Sequence, residues 1–349
     1  MRLLIVSDAW LPQVNGVVTC IQALVRELHA LGHQVKVLGP QDFRHVPCPN
    51  YGEIALAWDL WRVAPMLREF RPDAVHIATE GPLGWAARHY LKRRGLAFSS
   101  AIHTRFPEYV TTRWPWLPLD WGYAYLRRFH AASQAVMVST PSLRDELASQ
   151  GIGRLALWHK GVDNQLFRAG PSPAAGKPVF LYVGRLAEEK NLPAFLDLQL
   201  PGEKWVVGDG PQRESLQKAY PQASFLGYQR GAELARCYAA ASVLVFPSRT
   251  DTLGLVMLEA LACGTPVAAF PVRGPVDVLQ QGVTGWMSES LQEACLQALQ
   301  LERAPCAAAA QAFSWRHSAQ AFLRQQPLLD GELFDAQVFD DGSWQAVDA

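Results

Sequence analysis

The 349-residue sequence has no net charge and no long hydrophobic run. Its 32 lysines and arginines are balanced by 32 aspartates and glutamates, so no overall positive field recruits nucleic acid, although a local basic patch stays open. No run reaches the roughly 18 apolar residues that span a bilayer, and the apolar segment 3–6 is too short for a signal-peptide core. We expect a cytoplasmic protein that is soluble or, at most, peripheral on the inner face of the cytoplasmic membrane.

Three short motifs are also missing from the sequence. The six cysteines show neither C-x-x-C nor zinc-ligand spacing, which indicates small core residues of a reduced protein. No G-x-G-x-x-G run is present, which argues against a dinucleotide site and therefore against a dehydrogenase. No Asp-x-Asp pair is available for a divalent ion, so we predict neither a metal nor a prosthetic group.

Short apolar runs alternate with amphipathic segments along the whole chain, which is the pattern of βα units and parallel sheets. A stretch rich in Pro, Gly and Ala interrupts this alternation and is the predicted linker. We therefore predict an α/β protein with two Rossmann-like domains that face a central cleft, where ligands of such sheets bind. The predicted boundaries are 1–168 for the first domain, 169–178 for the linker, 179–312 for the second domain, 313–326 for a C-terminal helix that crosses back to the first domain, and 327–349 for a tail.

Glycine turns follow the first strand of each predicted domain. In the first domain Gly16 opens a helix, where backbone N–H groups and the helix dipole favour an anion; an ordinary βα turn is the alternative. In the second domain Gly184 precedes Arg185 and Lys190, a forked guanidinium and an ammonium suited to a diphosphate; a solvated charged loop is the alternative. Gly208, after the next strand, lets the backbone come close to a ligand.

The segment after the apolar strand at 243–246 carries two acids separated by seven residues. Asp251 lies in the predicted strand-to-helix loop, and Glu259 lies inside the helix that follows. A carboxylate in an apolar helix needs a partner, and the hydroxyls of a ribose are suitable ones; a surface glutamate is the alternative. The backbone N–H groups at the start of this helix form a predicted anion cradle. They belong to Thr252, Leu253, Gly254, Leu255 and Val256.

These motifs resemble those of glycosyltransferase family four, the retaining nucleotide-sugar enzymes with a GT-B fold. The family pattern, two acids and then an A-x-A-x-G-x-P-V run, stands here as Asp251…Glu259-Ala260-Leu261-Ala262-Cys263-Gly264-Thr265-Pro266-Val267. The similarity extends to Gly184-Arg185…Glu189-Lys190-Asn191, Gly208-Asp209-Gly210-Pro211, Lys160-Gly161-Val162-Asp163 and Phe313-Ser314-Trp315. The run His103-Thr104-Arg105-Phe106-Pro107-Glu108-Tyr109 is similar to the subgroup of sulfoquinovosyl, mannosyl and glycolipid-forming transferases.

The resemblance implies how a nucleotide-sugar donor, a UDP- or GDP-hexose, is held. Gly16 and the neighbouring backbone would contact the donor diphosphate from the first domain. Arg185 and Lys190 would neutralise it from the second domain, and Glu259 would bind the ribose hydroxyls. Gly184, Gly208 and the cradle at the helix start complete the implied donor site. The resemblance does not distinguish UDP from GDP.

The resemblance also implies the catalytic residues, which are His103, Asp251, Arg185 and Lys190. Asp251 and the amides of the cradle would hold the donor sugar and the β-phosphate, and His103 would lie beside the transferred sugar. Fixed cations and amides would stabilise the leaving diphosphate in place of a metal ion. By family analogy the acceptor attacks from the leaving-group face, so the configuration is retained. The family usually has Glu where Asp251 stands, one methylene longer, so the donor hexose stays open.

Two other functions compete with this prediction. A GT-B epimerase that hydrolyses a nucleotide sugar would need acid and base carboxylates in the first domain, where Glu80 and Glu108 are candidates without a motif. A non-catalytic nucleotide-sugar-binding protein would not need His103, Arg185, Lys190 and both acids together.

The segment 113–123 is rich in aromatic residues and is followed by Arg127 and Arg128. Trp and Tyr beside cations suit a membrane interface or a lipid-linked acceptor; ordinary packing of a first-domain helix is the alternative. We predict a lipid, polyprenyl-linked or glycan acceptor and no nucleic acid partner. The predicted acceptor or membrane contacts are Arg105, Tyr109, Trp114 and Trp116.

Overall fold

The computed structural model describes residues 1–13, 15–48, 51–113, 116–170 and 176–329, and for 51–54, 109, 110, 112 and 113 it describes the backbone alone. Four of our predictions lie outside the described residues. They concern Trp114, the side chain of Tyr109, the middle of the linker and the tail beyond 329.

The first domain is built on a parallel sheet of six strands in the order β2-β1-β5-β6-β7-β8. Its strands are β1 (Arg2–Val6), β2 (Gln34–Leu38), β5 (Ala74–Ile77), β6 (Ser99–Ala101), β7 (Ala135–Val138) and β8 (Leu155–Leu157), and an antiparallel hairpin of β3 (His45–Cys48) and β4 (Tyr51–Ala57) lies outside the sheet. Its helices are α1 (Gly16–Ala30), α2 (Val63–Phe70), α3 (Pro82–Arg93), α4 (Phe106–Arg113), α5 (Leu119–His130) and α6 (Pro141–Ser149).

The second domain repeats this plan with a parallel sheet in the order β11-β10-β9-β12-β13-β14. The strands are β9 (Val179–Val183), β10 (Glu203–Val207), β11 (Ser224–Gly227), β12 (Val243–Phe246), β13 (Val267–Ala269) and β14 (Gly285–Met287). The helices are α7 (Pro193–Leu196), α8 (Arg213–Ala219), α9 (Gly231–Ala240), α10 (Leu255–Ala262), α11 (Pro275–Val278), α12 (Leu291–Ala298), α13 (Arg303–Ala310) and α14 (Trp315–Arg324). The predicted α/β architecture with two Rossmann-like sheets is confirmed.

The central strands are apolar on both faces because helices cover both faces of each sheet. In β1 the residues Leu3, Leu4, Ile5 and Val6 have no exposed surface, which is the usual state of a parallel strand between two helical layers. Leu4 and Val6 pack with α2 and α3, and Leu3 and Ile5 pack with α1. Carboxyl ends of all strands in one sheet lie at one edge, so the loops with the predicted site residues collect there.

The C-terminal helix α14 packs on the first domain, not on the second. Trp315, Ala319 and Phe322 lie in one apolar cluster with Ile5 of β1 and Leu24 of α1. The indole N–H of Trp158, after β8, donates to the hydroxyl of Ser318 at 2.9 Å. Gly161 lies against the backbone of Ser314 and Trp315, which lets the chain return to the first domain at this point.

Replacement of Gly161 tests how closely these two segments pack. A Cβ at this position would lie 2.3 Å from the backbone nitrogen of Trp315, so Gly161→Ala must displace backbone. We expect a loss of about 1–3 kcal/mol in the free energy of unfolding, the usual cost of overpacking. Denaturant unfolding measures it. Gly153→Ala is the matched control, because none of the described residues lies within 4 Å of that added Cβ. Equal stability of the two variants would contradict the prediction.

Candidate active site

A hydrogen bond joins the two domains at the predicted site. The hydroxyl of Thr252, in the loop after β12, donates to the backbone carbonyl of His103, in the loop after β6, at 2.9 Å. His103 and the segment that begins at Asp251 were predicted to act on the same substrate from opposite domains. The structure brings these two segments together.

Lys190 and Asp251 form an ion pair in the second domain. Each of these side chains is about one quarter exposed, so the pair is open to the cleft and a ligand phosphate can compete for the ammonium. The neighbouring loop is braced by Tyr182, whose hydroxyl donates to the carbonyl of Arg185 at 2.9 Å. The amide of Asn191 donates to the carbonyl of Pro247 at 3.2 Å and ties the same loop to the end of β12.

The glycine loops after β9 and β10 pack backbone against backbone. Gly208 has a φ of +139°, and a Cβ there would lie 1.9 Å from the carbonyl oxygen of Gly184. No other residue fits this approach. Gly208 is therefore required by the packing of the two loops, whether or not a ligand is bound.

The starts of α1 and α10 differ in how their first amide groups are satisfied. In α1 the side chain of Asn15 accepts from the N–H groups of Val17 and Val18, each at 3.0 Å. At α10 the preceding residue is Gly254, in the left-handed region with φ +81°, and it has no side chain to accept from the first amides. The anion cradle predicted at α10 is therefore open, whereas the first amides of α1 are already occupied. An Asn directly before an apolar helix is the signal that sequence reasoning missed.

Glu259 lies in α10 and is partly buried, and its carboxylate accepts from the phenol of Tyr238 on α9 at 2.7 Å. Burial raises the pKa of Glu259 to about 7, and the hydrogen bond from Tyr238 acts in the opposite direction. This acid therefore has a partner within the protein, a buried phenol that the sequence reasoning did not identify.

The imidazole of His103 lies edge-on to the indole of Trp158, with 5.8 Å between ring centroids. Its Nε2 atom is buried and has no hydrogen-bond partner among the described residues. Burial, together with the charge of the nearby Lys160, lowers the pKa of His103 well below its ordinary value, so the ring is neutral at physiological pH. The ammonium of Lys160 lies over the ring of Trp158, 3.0 Å from its centroid.

Further contacts cross the cleft through α6 of the first domain. The carboxylate of Asp277 accepts from the backbone N–H of Ser142 at 3.1 Å and from its hydroxyl. The guanidinium of Arg273 pairs with Glu146 at 2.8 Å. The same carboxylate oxygen of Glu146 pairs with Arg105 at 2.8 Å. Sequence reasoning missed these pairs because no motif marks them.

Two of the predicted acceptor contacts, Arg105 and Trp116, differ in their partners and in their exposure. The guanidinium of Arg105 is engaged by Glu108 at 2.9 Å and by Glu146, so its acceptor role stays a prediction. Trp116 is 74% exposed, and Trp121 on α5 is 68% exposed. Two tryptophans are therefore presented to solvent by the segment in which we predict a membrane or acceptor contact.

The described part of the chain contains no group of three or more His, Cys, Asp or Glu placed to hold a metal ion. It also contains no helix that combines the length and apolar character of a bilayer span. The metal-free mechanism stays a prediction.

Two doubly wound parallel sheets, in contact through the loops after β6 and β12, define the GT-B class of fold. Residues 14–166 match the family described as glycosyltransferase family 4, and residues 177–301 match glycosyl transferases group 1. The chain belongs to this family, as its motifs predicted.

Individual relatives support this assignment. The GDP-mannose-dependent alpha-mannosyltransferase of Mycobacterium tuberculosis is 31% identical over 314 residues, which cover 82% of this chain and 83% of the relative. The sulfoquinovosyl transferase SQD2 of Arabidopsis thaliana is 30% identical over 312 residues, which cover 78% of this chain and 61% of the relative. Among solved structures, sucrose-phosphate synthase of Thermosynechococcus elongatus has a TM-score of 0.75 at 20% identity, with 93% of this chain and 97% of that chain covered.

A substitution series at Gly16 tests whether the donor lies against the start of α1. None of the described residues lies within 4 Å of a Cβ added there, so Gly16→Ala should fold with unchanged or slightly higher stability, and the unfolding of Gly16→Leu is measured beside it. The added side chain would occupy the space assigned to the diphosphate. We expect the affinity for a nucleoside diphosphate to fall by more than about tenfold in Gly16→Leu, roughly 1.4 kcal/mol, and less in Gly16→Ala. Calorimetric titration measures it, and equal affinities across the series would remove Gly16 from the donor site.

Proposed function

We propose that this protein is a retaining, metal-independent glycosyltransferase that moves a hexose from a UDP- or GDP-hexose to a lipid, polyprenyl-linked or glycan acceptor. One observation carries the proposal. Within a single stretch, Asp251 pairs with Lys190, Thr252 hydrogen-bonds to the first domain, and Glu259 lies in the helix that follows. A ligand bound along this stretch would therefore touch both domains.

The charges of the site match the leaving group. Cleavage of the anomeric bond places negative charge on the departing diphosphate and positive charge on the sugar ring. Lys190 pairs with Asp251, and the amides at the start of α10 have no side-chain cap, so both would stabilise that charge, and we assign Arg185 of the neighbouring loop to the same task. A donor phosphate would displace the carboxylate of Asp251 from the ammonium of Lys190. Asp251 would then accept a hydrogen bond from a hydroxyl of the sugar.

His103 would complete the sugar pocket from the first domain. The ring is neutral, and its buried Nε2 atom lacks a partner among the described residues, which is costly in the free protein. A sugar hydroxyl can satisfy this nitrogen.

The relatives narrow the choice of donor. The mannosyltransferase of M. tuberculosis is GDP-mannose-dependent by its name, and relatives of the same name occur in Mycolicibacterium smegmatis and Corynebacterium glutamicum. We propose GDP-mannose as the first donor to test, followed by UDP-hexoses, because Asp251 leaves the hexose open.

The alternative of an epimerase or hydrolase is less well supported. Its two candidate acids are both engaged in the first domain. Glu80 pairs with His130 at 3.2 Å, and Glu108 pairs with Arg105 at 2.9 Å. Neither carboxylate is presented as a free acid or base.

The reaction is tested with GDP-mannose after exhaustive chelation. We expect mannosyl transfer to a lipid or glycan acceptor to persist in chelator, because the protein's own cations balance the diphosphate. Proton NMR of the product should show an α-anomer, as in the donor. A β-product would contradict retention, and loss of transfer that manganese restores would contradict metal independence. If GDP-mannose is inert, the UDP-hexose series is run in the same way.

The membrane part of the proposal rests on the two exposed tryptophans. Replacement of Trp116 and Trp121 by Ser should weaken sedimentation with anionic vesicles roughly tenfold or more, since each loses an interfacial aromatic anchor. The matched control replaces Trp58 and Trp61, which are also exposed and stack edge-on at 5.6 Å beside the hairpin of β3 and β4. Donor binding should be unchanged in both double variants. If the wild type does not sediment with vesicles, or if both variants lose binding equally, this segment is not the membrane contact.

A further inference from the structure

We propose that Tyr238 is a positioning residue for donor binding, whose hydroxyl holds one carboxylate oxygen of Glu259 and leaves the other oxygen to bind the donor. The inference rests on the proposed role of Glu259 as the ligand of the ribose. It assigns a function to a residue of α9 that contacts no substrate itself.

The geometry fixes the phenol of Tyr238 against one oxygen of Glu259. Tyr238 has no exposed surface, and its hydroxyl donates to Oε2 of Glu259 at 2.7 Å. The ring packs edge-on to Phe167 at 5.8 Å, and the backbone carbonyl accepts from the hydroxyl of Thr265 at 2.7 Å. Ring and backbone are therefore both held, and the second oxygen of Glu259 is left for a ligand.

Among the described residues, the phenol of Tyr238 is the group that offsets the cost of burying the charged form of Glu259. No described Lys or Arg forms a salt bridge with Glu259. Removal from water raises its pKa to about 7, while the hydrogen bond from Tyr238 favours the charged form. A ribose hydroxyl donates a stronger hydrogen bond to an ionised carboxylate than to the neutral acid, so protonation of Glu259 weakens donor binding. Near neutral pH, the hydrogen bond from Tyr238 therefore determines what fraction of Glu259 is ionised and able to bind the ribose strongly.

The groups that face this pair do not titrate in the same range. They are Cys237 from α9 and Cys263 at the end of α10, which in turn faces Arg303 from α13. Burial raises the pKa of Cys263 to about 12, and burial with the nearby Glu259 raises the pKa of Tyr238 well above its ordinary value. Burial also raises the pKa of Cys237. Glu259 is the member of this group that changes charge near pH 7.

The sign of the pH dependence follows from this assignment. Glu259 accepts from the ribose when it is ionised, so donor binding is full above its pKa and is lost as the pH falls through it. Tyr238→Phe removes the hydrogen bond that favours the ionised form and keeps the ring. The midpoint should then move to higher pH by about one unit, the shift expected for one hydrogen bond to a charged group.

The test measures calorimetric affinities for GDP between about pH 6 and pH 9, a range that brackets the raised pKa. UDP replaces GDP if it binds more tightly. The proteins are the wild type, Tyr238→Phe, Glu259→Gln and the double variant. Because the terminal phosphate of the ligand also titrates near pH 6, each affinity is divided by that of Glu259→Gln at the same pH. Tyr220→Phe is the matched control, since its hydroxyl bonds to Asp197 at 2.8 Å on the surface.

We expect the normalised affinity of Tyr238→Phe to be roughly three- to tenfold below that of the wild type at pH 7 and within about twofold at pH 9. Tyr238→Phe should have no effect when Glu259 is already Gln, and Tyr220→Phe should follow the wild type. A loss that is equal at every pH, or that persists in the Gln background, would mean that Tyr238 only supports the packing of α9, and the proposal would be overturned.

The ribose role of Glu259 is tested separately with 2′-deoxy-GDP. If the wild type and Glu259→Ala discriminate equally between the two nucleotides, Glu259 is not the ribose ligand, and both the assignment and the inference on Tyr238 fail. If Glu259→Ala loses discrimination but the midpoint of Tyr238→Phe stays at the wild-type value, the ribose role stands and the role of Tyr238 falls.

Discussion

The hydrogen bond from Thr252 to the carbonyl of His103 is the contact on which the arrangement of the site depends. It fixes the loop after β12 against the loop after β6. Asp251, the partner of Lys190, precedes Thr252 in the chain, and α10 follows it. Both are therefore held in position relative to the first domain. Reacting groups must be held to within about an ångström, and here they come from two separate sheets. A contact between backbone and a short side chain sets that distance more tightly than long charged side chains would.

The two acids of the family motif have different electrostatic surroundings and therefore different tasks. Asp251 is paired with Lys190 near solvent, where a ligand phosphate can replace it. Glu259 is buried against a phenol, so its proton affinity is high and it is sensitive to a single hydrogen bond. Two carboxylates of one sequence motif thus differ in their electrostatic surroundings, as in other sites where neighbouring acids take different roles.

The sequence predicted the architecture and the segments of the site, but not the partners of the site residues. Apolar strands followed by glycine turns determine which loops collect at the carboxyl edge of each sheet, and Gly184 and Asp251 were predicted as site residues in this way. Tyr238 was missed, because a tyrosine in an amphipathic helix has no local signal that distinguishes a core ring from a hydrogen-bond donor to another helix. The pair of Glu146 with Arg273 was missed because it forms only when two domains meet.

The starts of α1 and α10 differ, which indicates that the two domains would contribute different groups to the proposed donor site. The amides of Val17 and Val18 are occupied by Asn15, so α1 offers a diphosphate little more than the open space beside Gly16. The start of α10 has no cap and lies in the same loop as the pair of Lys190 with Asp251. In the proposed mechanism the second domain would therefore supply the charge that balances a leaving diphosphate, whereas the first would supply room for it and the neutral His103. Since neither domain holds both parts, the chemistry depends on the contacts that keep the two sheets together.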